Sequence, residues 1–170
     1  SRGLGDVYKR QTAVSAGNHA IATAFAARAA DSHAKVVMAA NASPFRIAQC
    51  RAVGADVVLA DDIAAAFAEV RRIADAEGRA FIHPFRGMTT HMGPATLARE
   101  WLGQAPDLDA LVVPVGGGGL ICGIALAVKS LKPSCRIFGV EPTGAASMGA
   151  AFHAGRPVDT CLLYTSDAAD

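Results

Sequence analysis

Hydrophobic and polar positions follow one another in blocks along the chain, and each block predicts an element. Residues 18–30 are rich in Ala, with Ile21 and Phe25 one turn apart, which predicts a helix. The apolar run KVVMAA at 35–40 predicts a strand. Pro44 suits the first turn of a second helix, with Ser43 before it as N-cap and Gly54 closing it. A strand is expected at 56–60, a helix at 62–77 stopped by Gly78, and a strand at 80–83 ended by Pro84. A loop rich in Gly, Thr and His, 85–92, interrupts the pattern. It resumes as a helix at 94–102, a strand at 110–115, a helix at 120–131, a strand at 136–140 and a helix at 145–154 ending at Gly155. Apolar strands separated by helices predict parallel sheets covered on both faces, here in two successive α/β lobes joined near Phe85.

Composition narrows the partners. The chain has 170 residues, 52% hydrophobic and 18% charged, and 16 Lys+Arg against 15 Asp+Glu leave a formal net charge of +1. No basic excess is present to hold nucleic acid or an acidic membrane surface, so a small ligand is expected. Cys50, Cys122, Cys135 and Cys161 show no C-x-x-C spacing and read as buried free thiols of a cytoplasmic protein. The opening residues are polar and lack the apolar stretch of a secretory signal. Residues 110–128 are uncharged over a length that could cross a bilayer, but Pro114 and four consecutive glycines make strand, loop and helix the better parse. Residues 1–11 and 160–170 carry no periodicity and resemble translated adapter sequence. The native segment is therefore expected to be 12–159, with a small lobe at 12–85 and part of a larger lobe at 86–159.

Two segments could carry chemistry. In open parallel sheets, ligands bind beyond the carboxyl ends of strands, where glycine-rich turns lead into helices. The strand LVVPV runs into Gly116, Gly117, Gly118 and Gly119, whose backbone N–H groups can converge on an anion at the positive end of the next helix. A phosphate is the natural guest. A P-loop is excluded because no Lys follows in register, and the dinucleotide pattern fails because Ile121 or Cys122 stands where its third glycine belongs. The second segment, SAGNHA from Ser15 to Ala20, gathers hydroxyl, amide and imidazole groups at a helix N-terminus. Ser15, Gly17 and Asn18 also suit a plain capping turn.

SAGNHA, then VPVGGGGL, then GVEP, in this order and spacing, resemble the fold-type II pyridoxal-phosphate enzymes, in particular their threonine/serine dehydratase branch. The stretch from His83 to Glu100 resembles that branch between its two lobes. The resemblance covers nearly all of 12–159. It implies an α/β fold of two open parallel-sheet lobes in the tryptophan-synthase-beta-like architecture, truncated at both ends, with pyridoxal 5'-phosphate as cofactor and a homo-oligomeric full-length enzyme. By the same resemblance Asn18 meets the 3-hydroxyl of the cofactor ring. Ser15, Ala16, Gly17 and His19 cradle the substrate carboxylate, and Gly116, Gly117, Gly118, Gly119 and Leu120 hold the cofactor phosphate. Glu141 falls where some relatives place a divalent-cation ligand, but Ser147 stands where they supply a second acid, so no metal is expected.

His19 after Asn18 and the four glycines favour the dehydratases over the cysteine-synthase branch, which carries Thr after Asn and a GTGGT loop. Ala16 stands where serine racemases place a second serine as acid and base, and Ala cannot move a proton. Pro94 and Ala95 depart from the commoner Gln-Gly. The implied reaction is β-elimination of threonine or serine to a 2-oxoacid and ammonia, with the cofactor as electron sink. Its catalytic group, the Schiff-base lysine of an upstream S-x-K-x-R-G motif, has no counterpart: Lys9, Lys35, Lys129 and Lys132 all lack that context. The chain itself is expected to be inactive. The alternatives are a racemase of the same fold and a non-catalytic module that binds a phosphate ligand through the glycine turn.

Overall fold

The computed structural model describes residues 10–156 and residue 158, and the chain divides into two compact units, Ser1–Pro84 and Phe85–Asp170.

The first unit is built on four parallel strands, β1 (Gln11–Val14), β2 (Ala34–Ala39), β3 (Asp56–Ala60) and β4 (Ala80–Phe81), in the order β3-β2-β1-β4. Helices α1 (Asn18–Ala29), α2 (Pro44–Ala52) and α3 (Ile63–Glu77) connect them. Alternate residues of the strands point to opposite faces and so feed separate cores. Ala13, Val36 and Met38 pack with Ala20, Ala24, Ala27 and Cys50 on the α1 and α2 side. Their neighbours Val14 and Val37 pack with Ala66, Val70 and Ile73 of α3. Both faces are covered, as the apolar strands predict.

This strand order has a consequence for binding. From β1 the chain moves outward to β2 and β3, then returns to the other side of β1 with β4. The reversal lies between β1 and β4, and a doubly wound sheet opens its ligand crevice beyond the carboxyl ends of the two strands where the order reverses.

The second unit pairs β5 (Ala110–Pro114) with β6 (Arg136–Val140) in parallel, and carries α4 (Met88–Gln104), α5 (Gly119–Leu131) and α6 (Ser147–Ala154). Leu111, Val113, Ile124, Val128, Cys135 and Ala98 form its core, backed by Trp101 and Leu102. Only one face of this pair is covered among the described residues: Val112 is 67% exposed and Val140 53%. The expectation of cover on both faces therefore holds for the first sheet and not for this one.

Several elements differ from their sequence pattern. β1 was not expected, because Gln11 and Thr12 are polar. Thr12 is nevertheless fully buried, its hydroxyl donating to the Lys35 carbonyl at 2.8 Å. Helix α4 begins at Met88, with Pro94 in its interior. Proline is costly there, but α5 comes unusually close at this turn: a Cβ on Gly123 would fall on the His91 carbonyl oxygen and 2.8 Å from Pro94 Cβ. Packing of α4 against α5 thus overrides the local preference. Helix α6 starts at Ser147, after a single 3₁₀ turn at Thr143–Ala145. Residues 110–128 form strand, turn and helix, and no helix among the described residues is long and apolar enough to cross a membrane. Cys50, Cys122 and Cys135 are free thiols, Cys50 and Cys135 buried and Cys122 half-buried, and Cys161 lies outside the described residues.

Candidate functional site

The turn after β1 places Ser15, Ala16 and Gly17 at the carboxyl edge of the first sheet, and Asn18 and His19 open α1. The turn is held by its own polar groups. Gly17 N–H donates to Ser15 Oγ at 3.1 Å, Ser15 N–H donates to the Val37 carbonyl at 3.1 Å, and the Gly17 carbonyl accepts from Ala20 at 3.0 Å. Because the Ser15 hydroxyl accepts from Gly17, its own proton remains to be donated elsewhere. Gly17 is extended, not left-handed, and a Cβ there would displace only the flexible end of the Arg46 side chain.

His19 stands with the others in sequence but does something different. Its Nε2 lies 2.9 Å from the Ile82 carbonyl, so the ring donates to the residue that follows β4, the strand paired with β1. That bond makes the imidazole a tie between α1 and the segment after β4. The groups of this turn suited to an anion are the amides of Ala16, Asn18 and His19, for which no backbone carbonyl among the described residues accepts. No acidic residue occupies the first turn of α1 to offset its positive end. Asn18 is exposed at the first helical position.

In the second unit, Gly116, Gly117 and Gly118 lie between β5 and α5, and Gly119 and Leu120 are the first residues of the helix. Gly117 is confined by packing and Gly118 by its backbone angle, while a Cβ on Gly116 would meet nothing within 4 Å. A Cβ on Gly117 would sit 2.5 Å from the Phe85 ring, and one on Gly118 would sit 2.6 Å from the Met148 methyl, at a φ of +86° closed to most side chains. His91 Nε2 donates to the Phe85 carbonyl at 3.1 Å and holds that ring's backbone in place. Met148 is placed by Glu141, whose two carboxylate oxygens accept from the N–H groups of Met148 and Gly149, each at 2.7 Å. Among the described residues no backbone carbonyl accepts from the amides of 116–121, and the first turn of α5 carries no acid. Open amides on glycines at a positive helix end suit a phosphate group.

Glu141 is thus a helix cap, and its carboxylate is already used by α6. No group of three or more His, Cys, Asp or Glu suited to a metal ion exists among the described residues. No local pattern marks this cap, since it depends on α6 folding back onto the end of β6. Phe85 and Met148, which shape the glycine turn, carried no local signal either.

The fit to pyridoxal phosphate is therefore partial. The open amides of the glycine turn suit a phosphate group, whereas none of the described lysines stands at either turn. Lys35 is the second residue of β2, at the edge of the sheet opposite the Ser15 turn, and its Nζ is 2.6 Å from Glu77. Lys129 and Lys132 lie at the end of α5 away from the glycines, donating to the carbonyls of Cys135 and Pro106 at 2.6 and 2.5 Å. Lys9 lies outside the described residues. A shallow groove of about 590 Å³ beside β3 and α3, lined by Leu59, Asp61 and Arg72 among others, borders neither turn.

A family model described as pyridoxal-phosphate dependent enzyme matches residues 7–165. The chain is 54% identical over 147 residues to the phenylserine dehydratase of Ralstonia pickettii, covering 86% of this chain and 45% of that protein. Among solved structures it is similar to the processed form of threonine deaminase isoform 2 from Solanum lycopersicum, with a TM-score of 0.85, 37% identity, and 91% and 45% of the two chains covered. Maize serine racemase gives a TM-score of 0.84 at 34% identity, covering 88% and 46%. The chain spans less than half the length of these relatives.

Proposed function

Since the chain belongs to the pyridoxal-phosphate dependent enzyme family, we propose that it serves a β-elimination in which a β-hydroxy-α-amino acid, threonine or serine, becomes a 2-oxoacid and ammonia. The β-hydroxyl leaves as water and the Cα proton is lost. Hydrolysis then returns one water and releases ammonia, so the net loss is ammonia alone. The cofactor supplies the electron sink for the broken Cα–H bond. The amides of Gly116, Gly117 and Gly118, with Gly119 and Leu120 at the start of α5, would hold its phosphate, and Asn18 would hydrogen-bond its 3-hydroxyl. Ser15 would donate its hydroxyl proton to the substrate carboxylate beside the amides of Ala16 and His19, while Gly17 keeps the turn closed.

The observation that carries this reading is the Ser15 turn itself, a preorganised set of donors at the reversal point of the first sheet. The likeness to serine racemase supports racemisation as a second reading. Ala16 counts against it, because a methyl group at that position cannot return a proton. Free thiols at Cys50, Cys122 and Cys135 support a reducing, cytoplasmic setting, and the family resemblance supports a homo-oligomer.

The chain by itself is proposed to be inactive. Mixed with pyridoxal phosphate and borohydride it should yield no lysine adduct, while the amide resonances of Gly116, Gly117 and Gly118 should shift with the phosphate. A longer product of the same gene carrying an upstream S-x-K-x-R-G motif should form the adduct and release 2-oxobutanoate from threonine. An adduct on Lys35, Lys129 or Lys132 with turnover would overturn the proposed inactivity. Stop and start codons flanking the chain, with phosphate binding and no longer product, would favour the binding module.

A further inference from the structure

Helices α1, α2 and α3 all begin at the carboxyl edge of the first sheet, but their first turns are charged differently. Asp62 is the N-cap of α3, and its carboxylate accepts from the Ala65 N–H at 2.7 Å. An acid there offsets the positive end of the helix. Helices α1 and α2 have no acid in the first turn. In α2 the third residue is instead a cation, Arg46, which local electrostatics disfavours at a helix N-terminus.

That charge lies against the Ser15 turn. A Cβ on Gly17 would fall on Nη1 of Arg46 and lie 3.0 Å from its Cζ and 3.2 Å from its Cδ. The end of the side chain therefore packs over the Gly17 Cα, and the guanidinium stands beside the residue that joins Ala16 to Asn18. The amides of Ala16, Asn18 and His19 are those for which no backbone carbonyl among the described residues accepts. Arg46 is half-buried, so salt screens its charge less than it would on an open surface. A guanidinium has five N–H donors in a planar fork, and a contact made along one edge leaves others for an anion. Open amides, two helix ends without an acid and a cation thus gather on one edge of the sheet. A local preference broken with no local gain is the mark of a functional position.

We propose that Arg46 is a binding residue for the substrate carboxylate, supplied by α2: its positive charge draws the anion to the Ser15 turn and holds it against the amides there. The proposal rests on the elimination reading above and adds a charged group to the site which that reading assigns to the turn. The Ser15 hydroxyl and the amides set the direction of the carboxylate, and Arg46 supplies the attraction. The carboxylate passes through the reaction unchanged, so the charge should act on binding and not on turnover.

The alternative role for Arg46 is to fill the space over Gly17. Arg46→Met separates the two, because it keeps an unbranched, helix-compatible stem and removes the charge. In this chain, L-threonine is titrated while the amide resonances of Ala16, Asn18 and His19 are followed, with threoninol, which lacks the carboxylate, as control. Threonine should shift them with an affinity that falls as salt is raised, and threoninol should not. In Arg46→Met the affinity should fall about tenfold and lose most of its salt dependence. In Arg46→Lys, which keeps the charge without the fork, it should fall about threefold or less. In the longer gene product loaded with cofactor, Arg46→Met should raise the KM for threonine about tenfold and keep kcat within about twofold. Turn amides that ignore threonine in the parent chain, no loss in Arg46→Met, equal losses in both variants, or a fall in kcat at unchanged KM would each overturn the proposal. Salt-dependent threonine binding that is lost in Arg46→Met, with no turnover of threonine or serine by the longer product, overturns the elimination reading instead and leaves Arg46 as a carboxylate-binding residue.

Discussion

The turns after β1 and β5 occupy equivalent places, each following a strand and opening a helix, but they are held by different physics. The turn after β1 is tied by its own polar groups: Ser15 Oγ caps Gly17, and His19 bonds the Ile82 carbonyl. The turn after β5 is shaped from outside by an aromatic ring on Gly117 and a thioether on Gly118. The first can present a hydroxyl and amides of fixed direction, which suits a carboxylate that must be oriented. The second presents many amides of similar kind, which suits a phosphate with several equivalent oxygens. Each turn is fragile in its own way. Polar ties fail one bond at a time, whereas a backbone clamped by packed side chains fails when volume is added.

The largest effect should therefore come from added volume in the second turn. In Gly117→Ala the new methyl would lie 2.5 Å from Phe85 Cγ and Cδ1 and 3.0 Å from its Cβ, close to the backbone end of that side chain, where little can give. The second unit should lose about 3 kcal/mol, and the phosphate-induced shifts of the Gly116 and Gly118 amides should disappear. Unchanged shifts at full stability would mean that Phe85 does not shape the turn.

Next in size is the loss of the cap that places Met148. Glu141→Ala leaves the N–H groups of Met148 and Gly149 without their charged acceptor, a cost of about 2 kcal/mol. Amide exchange should quicken in α6, and the resonances of Gly118 should move although Glu141 does not touch it. If divalent cations restore the stability of Glu141→Gln, the carboxylate has a role beyond the cap.

Ser15→Ala tests the polar turn. Only one bond to an amide is removed, so the stability of the first unit should fall by about 1 kcal/mol. The proposed substrate affinity should fall further than the stability, since the hydroxyl proton is lost as well. Equal losses would reduce Ser15 to a turn-forming residue.

Local chemistry makes much of this fold legible in the sequence. The bounds of β3 and β6 follow from apolar runs between Gly and Asp or Pro and Ser signals, and Gly78 and Gly155 both stop helices in the left-handed conformation expected of them. What escaped depended on contacts remote in sequence. Thr12 reads as polar until Lys35 supplies its acceptor, and Pro94 reads as a helix start until Gly123 lets α5 approach. The same holds for the candidate sites. Ser15, Asn18 and the glycines announce themselves as motifs, while Arg46 reaches Gly17 only once α2 has packed beside α1.

The smallest effect should come from the opposite edge of the first sheet, which holds the strands that present the polar turn. There Glu77 accepts from Lys35 Nζ at 2.6 Å and from Arg79 Nε at 2.7 Å, and Arg79, itself buried, reaches the Gln11 and His33 carbonyls. Bonds from Lys35 and then Arg79 hold the Glu77 carboxyl at about 2, below its ordinary 4.5. A depressed carboxylate contributes stability that is fully present above its unfolded value and is lost as pH falls through the folded one. The contribution should thus be complete above about pH 5, shrink between about 4.5 and 2, and vanish below that. Because Glu77 is partly exposed, solvent and salt screen the interaction and keep it small. Thermal unfolding of Glu77→Gln should begin at a lower temperature than the parent at pH 7 and coincide with it near pH 2. The gap at pH 7 should narrow in high salt. A gap that persists at pH 2 would assign the loss to packing of the Glu77 side chain, and the ionic edge would then have no part in holding β1, β2 and β4 in register beneath the Ser15 turn.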